Sequence, residues 1–172
     1  IGVIVRGLKP SDLARKPIIS ESVIEGSLEN FDENQIAIGS EMAERLRLRI
    51  GDQITLIAPK GKTSPFGTIP RSRSYTIGLI FDVGMYEYNN GFVFMPLQAA
   101  QTFYQLSGIA TALEVITKNP ARLERAKQSI SLMTSDTVSI QDWRDMNGSF
   151  FNALQVERNV MFLILTLIIL VA

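Results

Sequence analysis

The sequence predicts an α+β domain, rich in short strands, that ends in a long helix running into a membrane. Three observations carry this prediction. Alternating or β-rich runs recur along the chain at GVIVR, QIAI, QITLI, SYTIGLIF and GFVFM, punctuated by Gly, Pro, Asp and Asn. Helical patterns separate some of them, at Glu41 to Leu48 and Leu97 to Leu106. The final stretch, Val160 to Ala172 (VMFLILTLIILVA), is apolar except for Thr166.

That final stretch covers roughly 20 Å at about 1.5 Å per residue, whereas a bilayer core is about 30 Å thick and takes about 20 residues to cross. It therefore reads as the opening half of a transmembrane helix whose remainder is expected beyond Ala172. The competing reading, a buried amphipathic helix, needs a polar face, and residues 160–172 carry no charge. The start at Ile1, in an apolar run without Met, likewise points to a segment of a longer membrane protein.

Composition narrows the functions. One or two small domains can be built from 172 residues, and 46% hydrophobic content supplies a core, so disorder is not expected. Lys plus Arg and Asp plus Glu both number 17, a balance that argues against a nucleic-acid surface. The absence of Cys excludes disulfides and thiolate metal sites but leaves cytoplasm and periplasm both open. Without His, the chain lacks the usual general base at neutral pH, the commonest zinc ligand and any Ser-His-Asp arrangement. No P-loop, dinucleotide fingerprint, paired-Cys site or HExxH occurs, so no catalytic residue, metal site or cofactor is expected. If ATP drives the protein, another subunit hydrolyses it.

In chain order, Gly2 to Arg6 is a strand. Lys9-Pro10-Ser11-Asp12 makes a turn in which Ser11 or Asp12 caps a short helix through Ala14. Ile18 to Asn34 mixes apolar pieces with irregularly spaced Glu21, Glu25, Glu29, Asp32 and Glu33, a solvated acidic face. Gln35 to Ile38 is a strand and Gly39-Ser40 a turn and cap. Glu41 to Leu48 is a helix with Met42, Leu46 and Ala43 inward. Gln53 to Ile57 and Ser74 to Phe81 form a hairpin. Asp82 to Asn90 is a polar turn and Gly91 to Met95 a strand. Leu97 to Leu106 is a helix whose apolar side holds Leu97, Ala100, Phe103 and Tyr104.

Further on, Ala112 to Ile116 alternates as a strand, Asn119-Pro120 starts a helix to about Met133, and Val138 to Ile140 is a strand, together a βαβ-like unit. Asp142 caps a last helix from near Trp143 through Phe150, Phe151, Leu154 and Val156 into the apolar run. Glu157 and Arg158 place the membrane surface near Asn159. The domain proper thus spans 1–141, with a β-rich part and an α/β part from about 97 to 141. Residues 142–172 form a stalk that enters the membrane from about 160.

The connection between the hairpin strands, Ala58 to Arg73 (APKGKTSPFGTIPRSR), carries prolines at 59, 65 and 70 and an apolar tip at Phe66 and Ile69. Proline removes backbone donors and restricts φ, so a loop is expected that is stiffer than a Gly/Ser linker and resists pairing as a sheet edge. An exposed apolar tip is costly unless something covers it. Two readings stand side by side: an arm that inserts into a partner, steered by Lys60, Lys62, Arg71 and Arg73, or a loop folded back with Phe66 in the domain's own core.

With these residues in view, the order IAIGSEMAERLRLRIGD, ITLIAPKGKTSPFGTIPR, GMYEYNNGFVFMPLQAAQTFY and QDWRDMNGSFFNALQVERNVMFLILTLIILVA resembles lipoprotein-releasing permeases of the LolC/LolE type, from about Gly2 to the last residue. The motifs SPFGTIP, GMYEY and DWRDMN are its most specific parts. The resemblance implies a MacB-like periplasmic domain of an ABC transporter permease, with a β-rich subdomain carrying a protruding hairpin loop, a smaller α/β subdomain and a stalk helix that moves with a distant ATPase.

Such permeases take lipoproteins from the bacterial inner membrane and hand them to the periplasmic carrier LolA. They work with a separate LolD-type ATPase and a second permease subunit, different or identical. The family's hook onto the carrier falls here on Pro59, Pro65, Phe66, Gly67, Thr68, Ile69 and Pro70, and its basic pad on Arg71, Ser72 and Arg73. Thr55 stands where the pad can be basic, so only part of that patch carries over. The alternatives are a related MacB/FtsX-like permease acting on another substrate or partner, and a membrane-tethered sensor, which would require a ligand pocket.

Overall fold

The computed structural model describes residues 1–28, 31–64, 67–117, 123–134, 138–146 and 148–171, which fall into two units, Ile1–Ala112 and Leu113–Ala172. In the first, strands β1 (Ile4–Leu8), β2 (Val23–Gly26), β3 (Gln35–Gly39), β4 (Gln53–Ser64), β5 (Gly67–Phe81) and β6 (Phe92–Pro96) form one mixed sheet. Its order is β1-β6-β3-β5-β2, with β4 also paired to β5. The β1–β6 and β3–β5 pairs are parallel and the others antiparallel.

Strand alternation sends apolar side chains to both faces, and helices cover each. Ile36, Ile38, Ile77, Val93 and Met95 pack with Met42 and Ala43 of α3 (Ser40–Leu46) and Ala99, Ala100 and Phe103 of α5 (Leu97–Tyr104). On the opposite face Ala37, Leu79, Phe81 and Phe94 meet Leu13 of α1 (Pro10–Ala14), Ile19 of α2 (Pro17–Ser20) and Phe31. Gly78 lets β5 serve both layers: the register with β3 skips it, so Ile77 and Ile80 share one face although three residues apart. The connection from β5 to β6 is a short helix, α4 (Tyr86–Gly91), fastened by its buried Asn89. The Asn89 amide donates to Asp82 Oδ1 (2.6 Å), and its Oδ1 accepts the Val83 N–H (3.0 Å).

Several expectations change. The first helix starts at Pro10, with Lys9 as its cap residue. Proline's fixed φ suits the first helical position, leaving Ser11 and Asp12 inside the opening turn. Leu46 and Tyr104 are partly exposed at the ends of their helices, where Arg47 and Gln105 adopt left-handed caps. The acidic segment holds β2, which pairs with the end of β5. Most of Ala58 to Arg73 is strand, paired from Ala58↔Arg71 and again from Lys62↔Ile69. Prolines 59 and 70 fall within the bulge between those two registers, where the missing donors cost no ladder bond.

In the second unit, α6 (Leu123–Met133) matches the predicted helix, whose expected start at 119–120 lies outside the described residues. Residues 112–116 and 138–140 are irregular and pair with no described strand, so no βαβ unit is formed among the described residues. Alternation marks a segment able to pair, and pairing also needs an adjacent edge. Asp142 does cap: its Oδ1 accepts the N–H of Arg144 (2.8 Å) and of Asp145 (3.0 Å), opening α7 (Trp143–Met146). Beyond residue 147, α8 (Gly148–Val171) includes Asn152–Val171, 20 exposed residues long and apolar enough to cross a membrane.

Candidate functional site

The β4–β5 ribbon gathers most of the residues singled out from the sequence. Residues 67–75 of β5 pair only with β4 among the described strands, since pairing to β3 begins at Thr76 and to β2 beyond it. A Cβ on Gly61 would overlap the Ile69 carbonyl, so the chains approach closely there only because residue 61 is glycine. Gly67 opens β5 at φ +118°, a conformation other residues adopt only under strain. Pro65 and Phe66 lie outside the described residues.

Alternation gives the ribbon two chemically distinct faces. Leu56, Ala58 and Tyr75 are buried on one, opposite Arg73, Arg71 and Ile54 respectively in the register. Arg71 reaches the end of α5, where Nη1 donates to the Phe103 carbonyl (3.4 Å) and Nη2 to Gln105 Oε1 (2.6 Å). A cation at a helix C-terminus is favourable, because the final carbonyls lack helical partners. The Arg73 guanidinium lies 5.3 Å from the centroid of the Tyr75 ring and donates to Asn34 Oδ1 (3.3 Å). Burial pushes the Tyr75 phenol above its ordinary range while Arg73 pulls it down, so it stays neutral at physiological pH. Its ring stands edge-on to Phe103 at 6.1 Å, joining ribbon and α5.

The other face holds Thr55, Ile57, Ser72 and Ser74. Thr55 and Ser74 share a hydroxyl hydrogen bond of 2.9 Å, and Ile57 is 67% exposed. Ser72 therefore stands apart from Arg71 and Arg73, which the same strand turns to the opposite side. Toward the tip, Pro59, Gly67 and Pro70 are exposed and Ile69 is 62% exposed. The described part of the arm thus presents an apolar side chain to solvent, and Arg71 and Arg73 are engaged near its base.

Tyr75, Asn34 and Gln105, which anchor the arginines, were not singled out from the sequence, and Phe103, which does so too, was named only on the apolar side of its helix. The parity of β5 holds a signal for the first, since residues 71, 73 and 75 share a face; the other three come from distant segments. Among the described residues no acidic cluster is arranged to hold a metal ion.

No family model matches the chain. It is 31% identical to the lipoprotein-releasing system transmembrane protein LolC of Neisseria meningitidis, over 99% of this chain and 42% of that protein. LolC of Haemophilus influenzae is 30% identical over 81% of this chain and 35% of that protein. LolE of the same organism is 26% identical over 98% of this chain and 41% of that protein. The chain spans less than half the length of these curated relatives. With such matches across several species, the chain is homologous over nearly its whole length to a segment of the LolC and LolE lipoprotein-releasing system transmembrane proteins.

Proposed function

We propose that this chain is the periplasm-facing domain and adjoining membrane helix of a permease subunit that frees lipoproteins from the inner membrane, and that the tip of the β4–β5 ribbon docks a LolA-type carrier. The single observation that carries the docking role is the exposed Ile69 beside Pro70, on a ribbon that continues past the sheet and is braced at its base by Arg71. A solvated isoleucine of this size is costly to leave uncovered, and a carrier built to shield acyl chains offers an apolar cavity for it. Burying one large aliphatic side chain is worth about 1.5–3 kcal/mol, roughly a tenfold to hundredfold change in affinity.

The hook comprises Pro59, Pro65, Phe66, Gly67, Thr68, Ile69 and Pro70. In this reading Arg71 and Arg73 act first as braces that hold the arm's direction, and Ser72 lies on the face turned away from them. ATP hydrolysis belongs to a separate LolD-type subunit, and a second permease subunit, identical or different, completes the membrane part. Its cargo, the lipoprotein, is shared with those subunits.

The test is carrier binding by the full-length permease with its ATPase in nanodiscs. The Phe66→Ser/Ile69→Ser variant is expected to bind the carrier at least tenfold more weakly, with the subunits still assembled. Equal affinity in variant and unmodified complex would rule out the tip as the dock.

A further inference from the structure

A second construction belongs to the second unit, where α6 meets the head of the last helices. Five charged side chains converge there. Asp142, 8% exposed, is at the centre. Its Oδ2 accepts from Arg144 Nη2 (2.9 Å) and Nε (3.3 Å) and from Lys127 Nζ (3.3 Å). Arg144 Nη2 also donates to Glu124 Oε1 (2.6 Å), and Lys127 Nζ to Asp145 Oδ2 (2.8 Å). The Asp145 carboxylate returns to accept the Asp142 N–H (3.0 Å), closing a reciprocal cap on α7.

Glu124 and Lys127 belong to α6; Asp142, Arg144 and Asp145 belong to the α7 entry. The network therefore crosses between two helices, and apolar packing on the α6 side is thin. No residue of α6 is fully buried; Leu123, Ala126, Lys127 and Ile130 are half-buried at the spacing of one helical face. Two of the bridging contacts, Arg144 to Glu124 and Lys127 to Asp145, are short, and charge-assisted bonds of that kind fix orientation as well as contact.

We propose that Arg144 and Asp142 are positioning residues: they clasp α6 to the first turn of the last helices, so that a displacement of the membrane helix is carried into α6 without slipping. This rests on the permease reading above, in which movement reaches this segment through that helix. A forked guanidinium shared between Asp142 and Glu124 has one good geometry, which is what a transmitting joint needs.

The test uses the full-length permease with its ATPase, in nanodiscs for hydrogen exchange and in proteoliposomes for transfer. In Arg144→Gln the amides of α6 are expected to exchange about tenfold faster, with those of β3 and β5 unchanged. Lipoprotein released per ATP hydrolysed is expected to fall about tenfold while ATP hydrolysis and carrier binding hold. In a Glu124→Cys/Arg144→Cys variant, joining the two positions with a short bismaleimide should restore the release ratio that the unlinked form loses.

Unaltered α6 exchange in Arg144→Gln would overturn the clasp. Faster exchange with an unaltered release ratio would overturn its role in transmission. An unmodified complex that frees no lipoprotein would defeat the permease reading instead, and the exchange comparison would still judge the clasp.

Discussion

The sheet beneath the ribbon and the junction between α6 and α7 solve the same problem, fixing one element against another, with opposite chemistry. Beneath the ribbon, Tyr75, Phe81, Phe94 and Ile38 are buried to 1% exposure or less, and helices close both faces of the sheet. At the junction no α6 side chain is fully buried, and a five-membered charge network does the joining. Apolar packing makes stability that is large and indifferent to salt. A charge network makes geometry that is specific, and exposed to pH and ionic strength. The first unit thus holds the arm on an apolar platform, and the second joins α6 to α7 through a geometrically specific joint that responds to salt and pH.

The largest expected effect lies in the platform. Phe81→Ala removes a ring held between Phe94 and Tyr88, at 5.4 and 6.4 Å between centroids, and should cost about 3–5 kcal/mol, read as a lowered denaturation midpoint. Asp142→Ala comes next: it deletes the cap and the centre of the network, so α6 and α7 should lose amide protection while the sheet melts as before.

Acid should draw the same line between the two regions. Hydrogen bonds from Arg144, then the Asp145 N–H, hold the Asp142 carboxyl well below its ordinary 3.8; Asp145 is lowered too, by the Asp142 N–H and then Lys127. Depressed carboxylates contribute stability that is complete above the unfolded value and lost as pH falls past it toward the folded value. As pH falls from about 5 through the ordinary carboxylate range, α6 protection should fall while β3 and β5 keep theirs. At neutral pH, Asp142→Asn should already show the low-pH pattern.

Arg71→Gln is a smaller change. It removes the bonds to Phe103 and Gln105 at the ribbon base and should cost about 1–2 kcal/mol, with weaker carrier binding arising from a looser arm. Ile69→Ser should change stability by no more than about 0.5 kcal/mol, since its side chain is mostly in solvent.

The same contrast explains what the sequence disclosed. Strands β1, β3 and β6 and the helices Ser40–Leu46 and Leu97–Tyr104 are legible because burial writes a period of two or 3.6 into the residues. The length of the ribbon is not, because Pro59, Pro65 and Pro70 read as punctuation until the bulge that accommodates two of them is seen. Ala112–Ile116 misleads in the other direction: it has the alternation of a strand and no described strand beside it. Asp142 as a cap was readable from its type and place ahead of a helical pattern. Its role as the hub of a network was not, because Lys127 reaches it from 15 residues upstream and Glu124 bonds its partner Arg144 from 20.

Site-specific photocrosslinking tests the central claim most directly. A photoreactive residue placed at position 69, and in a second permease at position 57, is illuminated in the full-length complex with the carrier present. Ile69 and Ile57 are almost equally exposed but sit on different parts of the ribbon, so exposure alone does not distinguish them. The account predicts carrier adducts from position 69 and few or none from position 57. Adducts from position 57 with none from 69 would contradict it and move the dock to the Thr55, Ser72 and Ser74 face.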